Sequence, residues 1–149
     1  MRFLVAEGDG SARADLLQLL ARFGECHLAD NGADAVTAHL TSLHEQQGYD
    51  LFFLGMKLPG QDWLGVIQAV RHAEQRFGAA EVPIVILADC LSPREMVGAY
   101  YYGGCTDLLV KPVRLARLVE LLLGSNLIAP EQASRLLADV YRGSADLRC

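Results

Sequence analysis

Apolar runs of the sequence end at residues that could form a reactive site, and one of those residues has no side chain. Glu7 and Asp9 follow the first run and offer carboxylates, whereas Lys111 follows the last run and offers an ammonium group. Gly55 follows a run that ends at Leu54. In an open parallel α/β sheet, the residue just past the end of a central strand faces the ligand crevice. A glycine supplies neither a nucleophile nor a metal ligand, so chemistry that needs a group at this point is absent unless another residue provides it.

The segments that would position these residues follow the pattern of a sheet built from βαβ units, in which short apolar runs alternate with helical segments. The apolar runs predict five strands, at residues 3–6, 25–28, 50–54, 82–87 and 107–110. Helices are predicted to begin near Ser11, Asn31, Asp62, Ser92 and Leu115, with Ser11 as the first N-cap. We therefore expect an α/β fold with a doubly wound, five-stranded parallel sheet in the flavodoxin-like order 2-1-3-4-5, with helices on both faces and an extra C-terminal helix.

The length of the chain is that of one domain with a short extension. It has 149 residues, of which 52% are hydrophobic, and this is enough for one core. We assign residues 1–123 to the domain and residues 124–149 to a C-terminal extension. In the extension, Pro130 opens a short amphipathic helix with Ala133, Leu136 and Val140 on one stripe. That stripe is expected to dock on its own domain, with a second protomer or another partner as the alternative.

Charge and composition argue against several partners and locations. A formal net charge of −5 disfavours non-specific binding to nucleic acid or to an anionic membrane. No apolar run approaches the ~18 residues needed to span a bilayer, and we expect no signal peptide before the first strand. The four cysteines have no C-x-x-C spacing and are expected to be free thiols in a reducing cytoplasm. They are Cys26, Cys90, Cys105 and Cys149.

Several segments form a combined pattern that is more specific than any of them alone. They are residues 2–7 (RFLVAE), 29–35 (ADNGADA), 49–51 (YDL), 56–60 (MKLPG), 83–86 (PIVI), 103–105 (GGC) and 109–112 (LVKP). At this spacing, the segments resemble a response-regulator receiver domain of the CheY-like family. The resemblance covers residues 2–123, which is nearly all of the predicted α/β unit.

The resemblance implies a site for phosphoryl transfer from a histidine kinase, as in two-component signal transduction and phosphorelays. Receivers of this family accept the phosphoryl group on an aspartate at the end of strand 3. That aspartate and two acidic residues after strand 1 hold Mg²⁺, while a Ser or Thr and a Lys bind the phosphoryl oxygens. Carried over by position, Glu7 and Lys111 are kept, whereas the second acidic position is Gly8, the phosphoacceptor is Gly55, the hydroxyl residue is Ala88 and the aromatic switch is Leu108. The chain is thus predicted to be a degenerate pseudo-receiver that lacks the phosphoacceptor aspartate and has no catalytic residue.

The charged residues that remain are expected to form structural contacts rather than a metal centre. With a glycine at the phosphoacceptor position, Lys111 is expected to pair with Glu7 or Asp9. Two carboxylates without a third ligand bind a hydrated cation poorly, so Mg²⁺ binding by Glu7 and Asp9 is expected to be absent or weak and no cofactor is predicted. Asp89 is expected to point the other way along its strand.

The histidines show no metal-ligand spacing and are expected to be ordinary surface or edge residues. They are His27, His39, His44 and His72. The second predicted helix is expected to turn Val36, Leu40 and Leu43 inward.

The favoured function is a non-enzymatic signalling module that binds a protein partner, either a histidine kinase or a downstream effector, without a phosphorylation switch. The family's output face implies that Tyr100, Tyr101, Tyr102 and Leu108 form the contact surface, and a homodimer is a further option. The main alternative is a receiver controlled by phosphorylation at a non-standard residue, or by a small ligand in the vacant pocket. A flavodoxin-like electron carrier is third, because the acidic residues after strand 1 would repel a phosphate.

Overall fold

The chain forms one parallel sheet of five strands. In the computed structural model, the described residues are 1–60, 62–89 and 107–146. The strands are β1 (Arg2–Ala6), β2 (Glu25–Ala29), β3 (Leu51–Gly55), β4 (Ile84–Ala88) and β5 (Asp107–Val110). All neighbouring strands are parallel, in the order β2-β1-β3-β4-β5. The predicted α/β fold with strand order 2-1-3-4-5 is therefore confirmed.

Five helices are described. They are α1 (Gly10–Leu20), α2 (Gly32–His44), α3 (Trp63–Phe77), α4 (Leu115–Gly124) and α5 (Pro130–Asp146). The helix predicted to begin near Ser92, including Tyr100, Tyr101 and Tyr102, lies outside the described residues. No helix in the described ranges is long and apolar enough to cross a membrane.

The central strands are buried on both faces, which explains why their sequences are nearly continuous apolar runs. Successive side chains of β3 point to opposite faces. Phe52 belongs to the cluster that includes Val66 and Val70 of α3. Phe53 instead meets Phe3 of β1 edge to face, with 6.1 Å between the ring centroids. Because these strands are fixed from both sides, the residues at their ends are held on a rigid frame.

The first helix is capped by a residue that could also have served the predicted site. Asp9 is the N-cap of α1, and its Oδ1 accepts hydrogen bonds from the N–H groups of Ser11 at 2.9 Å and Ala12 at 3.3 Å. The assignment of the N-cap to Ser11 is therefore wrong. Aspartate and serine are comparable N-caps. Because Asp9 and Ser11 are only two residues apart, the sequence alone does not show which of them caps the helix.

Contacts within the chain group it into two units, Met1–Pro112 and Val113–Cys149. The first unit contains the whole sheet with α1, α2 and α3. In the second unit, α4 and α5 pack against each other. The boundary predicted between residues 123 and 124 remains a prediction.

Candidate functional site

The predicted site residues lie together at the carboxyl ends of four strands. Glu7 directly follows β1, Gly55 is the last residue of β3, Asp89 follows β4 and Lys111 follows β5. The backbone N–H of Lys111 donates a hydrogen bond to the carbonyl oxygen of Ala88 at 2.7 Å. This bond joins β4 and β5 at the level where the side chains converge, and so it fixes the start of the lysine side chain.

Glu7 and Lys111 form a buried ion pair. Lys111 Nζ lies 2.8 Å from Glu7 Oε2, and the two side chains are 13% and 1% exposed, respectively. The other carboxylate oxygen, Oε1, accepts a hydrogen bond from the backbone N–H of Asp9 at 3.0 Å. Oε2 accepts no well-directed hydrogen bond from any described residue, so its contact with the lysine is mainly one of charge. Removing one partner would leave an uncompensated charge in the interior.

The Glu7 carboxylate occupies the space that a side chain at Gly55 would need. A Cβ atom built on Gly55 would lie 2.7 Å from Glu7 Oε2 and 3.1 Å from Glu7 Cδ. Gly55 itself is buried. The Glu7 carboxylate, which follows the neighbouring strand β1, therefore lies against the position that the first side-chain atom of residue 55 would take.

The space beside Gly8, the second glycine of the site, is blocked by the backbone of Lys57. A Cβ atom built on Gly8 would lie 2.7 Å from the carbonyl oxygen of Lys57. Backbone cannot rotate out of the way as a flexible side chain can. Any larger residue at position 8, including an acid, therefore requires a shift of the loop after β3.

Asp9 does not take part in the ion pair. Its carboxylate caps α1, and in the described part of the chain no ion pair joins it to Lys111. Of the two expected partners of Lys111, the structure selects Glu7. Within residues 1–60, 62–89 and 107–146, no three His, Cys, Asp or Glu side chains are grouped so that they could hold a metal ion.

Asp89 faces the lysine, contrary to expectation. Its Oδ1 lies 3.8 Å from Lys111 Nζ, and its Oδ2 lies 3.4 Å from Lys57 Nζ. The alternation of side chains along a strand predicted the opposite direction, but β4 ends at Ala88 and the alternation no longer applies at the next residue. Because the Asp89 side chain is 55% exposed, water weakens these contacts.

The two switch positions are apolar and packed. Ala88 and Leu108 are buried, and Leu108 belongs to the same cluster as Phe52 and Leu54. Neither side chain offers a polar group to an anion at the end of the sheet. The tyrosines proposed as a partner surface cannot be placed, because positions 100–102 are outside the described residues.

A second buried polar cluster was missed in the sequence. His39 of α2 and Glu74 of α3 are each 1% exposed, and His39 Nε2 lies 3.2 Å from Glu74 Oε2. Glu74 also accepts hydrogen bonds from the Val82 N–H at 2.6 Å and from Arg71 Nη1 at 2.8 Å. The expectation that His39 is a surface or edge residue is therefore wrong.

The cluster was missed because the wrong face of α2 was predicted to be buried. The buried stripe of the helix runs through Ala35, His39 and Ser42, whereas Leu40, expected to face inward, is 36% exposed. The spacing i, i+4, i+7 of the buried residues is the same as that of Val36, Leu40 and Leu43, so periodicity alone could not decide between the two stripes. Burial lowers the pKa of His39 despite the neighbouring Glu74 carboxylate, which favours a neutral imidazole.

No protein-family model matches the chain. The transcriptional regulatory protein PdtaR of Mycobacterium tuberculosis is 30% identical to it over 79% of this chain and 53% of PdtaR. The chain spans between 5% and 53% of the length of the curated relatives that it matches, so the similarity concerns one region of them.

Solved structures share the fold. The receiver domain of the histidine kinase CKI1 from Arabidopsis thaliana, complexed with Mg²⁺ and BeF₃⁻, superimposes with a TM-score of 0.72 at 19% identity, over 83% of this chain and 89% of that chain. A co-crystal structure from Saccharomyces cerevisiae contains the histidine phosphotransfer protein Ypd1 and the receiver domain of the response regulator Ssk1. It matches with a TM-score of 0.69 at 27% identity, over 82% of this chain and 86% of that chain.

Proposed function

The chain carries a receiver domain of the CheY-like response-regulator type, and from this premise we propose that it is a two-component signalling module without a phosphorylation switch. In this proposal it is not an enzyme, and it acts by binding another protein. The observation that carries the proposal is the position of the Glu7 carboxylate, which fills the side-chain space at Gly55 and pairs with Lys111.

The chemistry of phosphoryl transfer supports this proposal. Transfer needs an accepting oxygen in line with the leaving group, together with cations that neutralise the developing charge. Gly55 offers no oxygen. The Lys111 ammonium is already paired, and the described residues contain no group of three ligands for a metal. The burial of Glu7, which is 1% exposed, disfavours it as a substitute acceptor, because a phosphodonor would have to reach a covered carboxylate.

The consequence would be a site fixed in one state. A receiver that can be phosphorylated has a free and a modified form, and its partner can distinguish them. Here the buried ion pair links the ends of β1 and β5 and no modified form would compete with it, so the binding surface would be constant and output would depend on the amount of protein. The net charge of −5 makes a protein partner more plausible than nucleic acid. The Ypd1 and Ssk1 complex suggests a histidine kinase or phosphotransfer protein, and a downstream effector or a second copy remain alternatives.

One observation favours a second candidate, a receiver phosphorylated on Asp89. This carboxylate is exposed and lies within 3.8 Å of Lys111 Nζ and 3.4 Å of Lys57 Nζ. The two lysines could neutralise an incoming phosphoryl group. Two observations argue against this second candidate. The described residues contain no group of three metal ligands, and Lys111 is already paired with Glu7. Control by a small ligand near Gly55 stays an alternative, although the Glu7 carboxylate lies within 2.7 Å of where a Cβ atom on Gly55 would be.

Intact-mass measurement after incubation with acetyl phosphate and Mg²⁺ separates the two candidates. The full chain should keep its mass, and its ¹H–¹⁵N spectrum should not change beyond the effect of Mg²⁺ alone. The matched variant is Asp89→Asn, which differs only in the suspected acceptor. An adduct of one phosphoryl group that forms on the natural chain and is lost in this variant would establish the second candidate. A stable adduct on both proteins would also contradict our proposal.

A further inference from the structure

A cavity of about 530 Å³ lies at the amino-terminal ends of β3 and β4. Tyr49 lines it just before β3, and Val82 and Pro83 line it just before β4. Glu7 and Lys111 lie at the other ends of the strands, so the cavity is separate from the site described above. Its volume falls within the range of small-molecule pockets, about 300–1,000 Å³.

The carboxyl ends of two helices meet at this cavity. His44 is the last residue of α2 and Phe77 is the last residue of α3, and both line the space. The carboxyl end of a helix carries a partial negative charge, which stabilises a cation placed beside it. Two such ends at one cavity therefore favour positive charge there before any side chain is considered.

The charged side chain of the wall has the same sign as the helix ends. Among the described residues that line the cavity, Glu81 is the one carboxylate, and none is a Lys or an Arg. Burial lowers the pKa of His39, another residue of the wall, so this imidazole adds no positive charge at neutral pH. The wall thus carries a net negative charge.

The arginine nearest to Glu81 does not cancel that charge. Arg71 Nε lies 4.0 Å from Glu81 Oε2, which is a long contact for an ion pair. The same guanidinium donates a hydrogen bond to the buried Glu74 carboxylate at 2.8 Å. Because Glu74 already balances the charge of Arg71, the carboxylate of Glu81 is an additional negative charge.

Two aromatic residues are also part of the wall. Tyr49 and Phe77 line the cavity, and Phe77 is 48% exposed. The face of an aromatic ring attracts a cation that lies within about 6 Å of its centre. Tyr49 already shows this property, since Arg2 Cζ lies 5.0 Å from its ring centroid. Arg2 itself lines a neighbouring space and not this cavity.

We propose that this cavity binds a small organic cation, an ammonium group with apolar substituents. The helix ends and Glu81 attract its positive charge, and the rings of Tyr49 and Phe77 contact its substituents. An anion would be repelled by the same groups. A bare metal ion fits less well, because the described residues contain no group of three His, Cys, Asp or Glu side chains that could hold one.

Choline and 3,3-dimethylbutan-1-ol test this inference on the full chain, because they share size and shape and differ by one positive charge. Titrations are followed by ¹H–¹⁵N spectra at constant ionic strength and at about pH 8, where imidazole groups are largely neutral. Choline should bind about five- to thirtyfold more tightly than the alcohol, which is the combined effect of aromatic rings and helix ends. The amide resonances of Gly48, Ala79 and Glu81, which line the cavity, should move.

Three variants complete the test. Phe77→Leu removes a ring but keeps an apolar side chain, and Glu81→Gln removes the charge; each should lower the preference for choline at least about twofold. Asp30→Asn is the matched control for Glu81→Gln, because Asp30 is also an exposed acid beside an arginine, at 3.4 Å from Arg13. Asp30 follows β2 at the other edge of the sheet, so this variant should retain the preference.

Any of four results overturns the proposal. The first is that choline shows no saturable binding, and the second is that it binds no more tightly than the alcohol. The third is that choline moves resonances near Glu7 and Lys111 instead of those at the cavity. The fourth is that Phe77→Leu and Glu81→Gln both keep the full preference, which would mean that other groups recognise the charge.

Discussion

The glutamate at position 7 supplies the carboxylate that pairs with Lys111. It directly follows β1, and its Oε2 lies where a Cβ atom on Gly55 would be crowded. The sequence predicted that Lys111 would pair with Glu7 or Asp9, yet it could not choose between them. The choice depends on Asp9 being used as a helix cap, and on Gly55 leaving room for the longer glutamate.

Restoring an aspartate at position 55 should destabilise the protein rather than repair the site. Gly55→Asp places a second carboxylate against Glu7 in a buried space, where overpacking and like charge act together. We expect the free energy of unfolding to fall by about 3 kcal/mol or more, measured by urea denaturation.

Gly48→Asp is the matched control for this substitution, because a Cβ atom there meets nothing within 4 Å. The double variant Glu7→Ala with Gly55→Asp should recover much of the loss, since one carboxylate again faces Lys111. Equal losses for Gly55→Asp and Gly48→Asp would show that Glu7 does not fill the site.

His39 should make the stability of the fold depend on pH. Burial lowers its pKa in the folded protein below the ordinary value of 6.5, so between the two values the unfolded chain binds more protons. The contribution to stability is therefore complete above about pH 6.5 and is lost as the pH falls toward the lowered value.

Urea midpoints at about pH 7.5 and about pH 5 check this expectation, because only the lower pH falls below the ordinary imidazole pKa. His39→Gln should show a smaller drop between the two conditions than the natural protein, whereas His72→Gln should show the same drop. Identical pH dependence in all three proteins would mean that His39 is not the buried titrating group.

Among the elements, the strands were easier to predict than the faces of the helices. The central strands are buried on both sides, so their composition alone marks them, as the run from Leu51 to Leu54 shows. A helix can carry more than one stripe of residues that could face the core, so the buried face is harder to predict. In α2, the stripe with Leu40 looked more hydrophobic than the one with His39, but the polar contacts that His39 makes with Glu74 come from another helix and cannot be read locally.

Two substitutions at the start of α1 test whether Asp9 or Ser11 caps the helix. Asp9→Ala should lower the free energy of unfolding by about 1 kcal/mol, because the N–H groups of Ser11 and Ala12 lose their acceptor. Ser11→Ala should change it by less than about 0.5 kcal/mol. The comparison is made by chemical denaturation of both variants. A larger loss for Ser11→Ala would contradict the observed cap.

For the whole molecule, the alternation of strands and helices with right-handed connections leaves few topologies, and the predicted flavodoxin-like order is one of them. The proximity of Glu7, Gly55, Asp89 and Lys111 followed directly from that order, since parallel strands end at one edge. Side-chain direction beyond the strand ends did not follow, as Asp89 shows. The expected tyrosine surface at positions 100–102 remains a prediction.

Mg²⁺ should leave the stability of the whole molecule unchanged. A ligand that binds only the folded state raises the free energy of unfolding in proportion to the logarithm of its concentration over its dissociation constant. Since the described residues contain no group of three suitable ligands, the melting temperature should be the same with EDTA and with millimolar Mg²⁺, at constant ionic strength. A rise that Glu7→Gln abolishes would reveal a metal site involving this carboxylate.

The close fit between Glu7 and Gly55 also bears on the evolutionary history of the chain. If Gly55 changes to aspartate first, the new side chain meets the glutamate; if Glu7 shortens first, Lys111 loses its nearby partner and a hole opens beside the glycine. At position 8, an acid requires movement of the Lys57 backbone. Each of these single substitutions is therefore expected to give a less stable protein. Selection acting on single substitutions would tend to keep Glu7, Gly8 and Gly55 together.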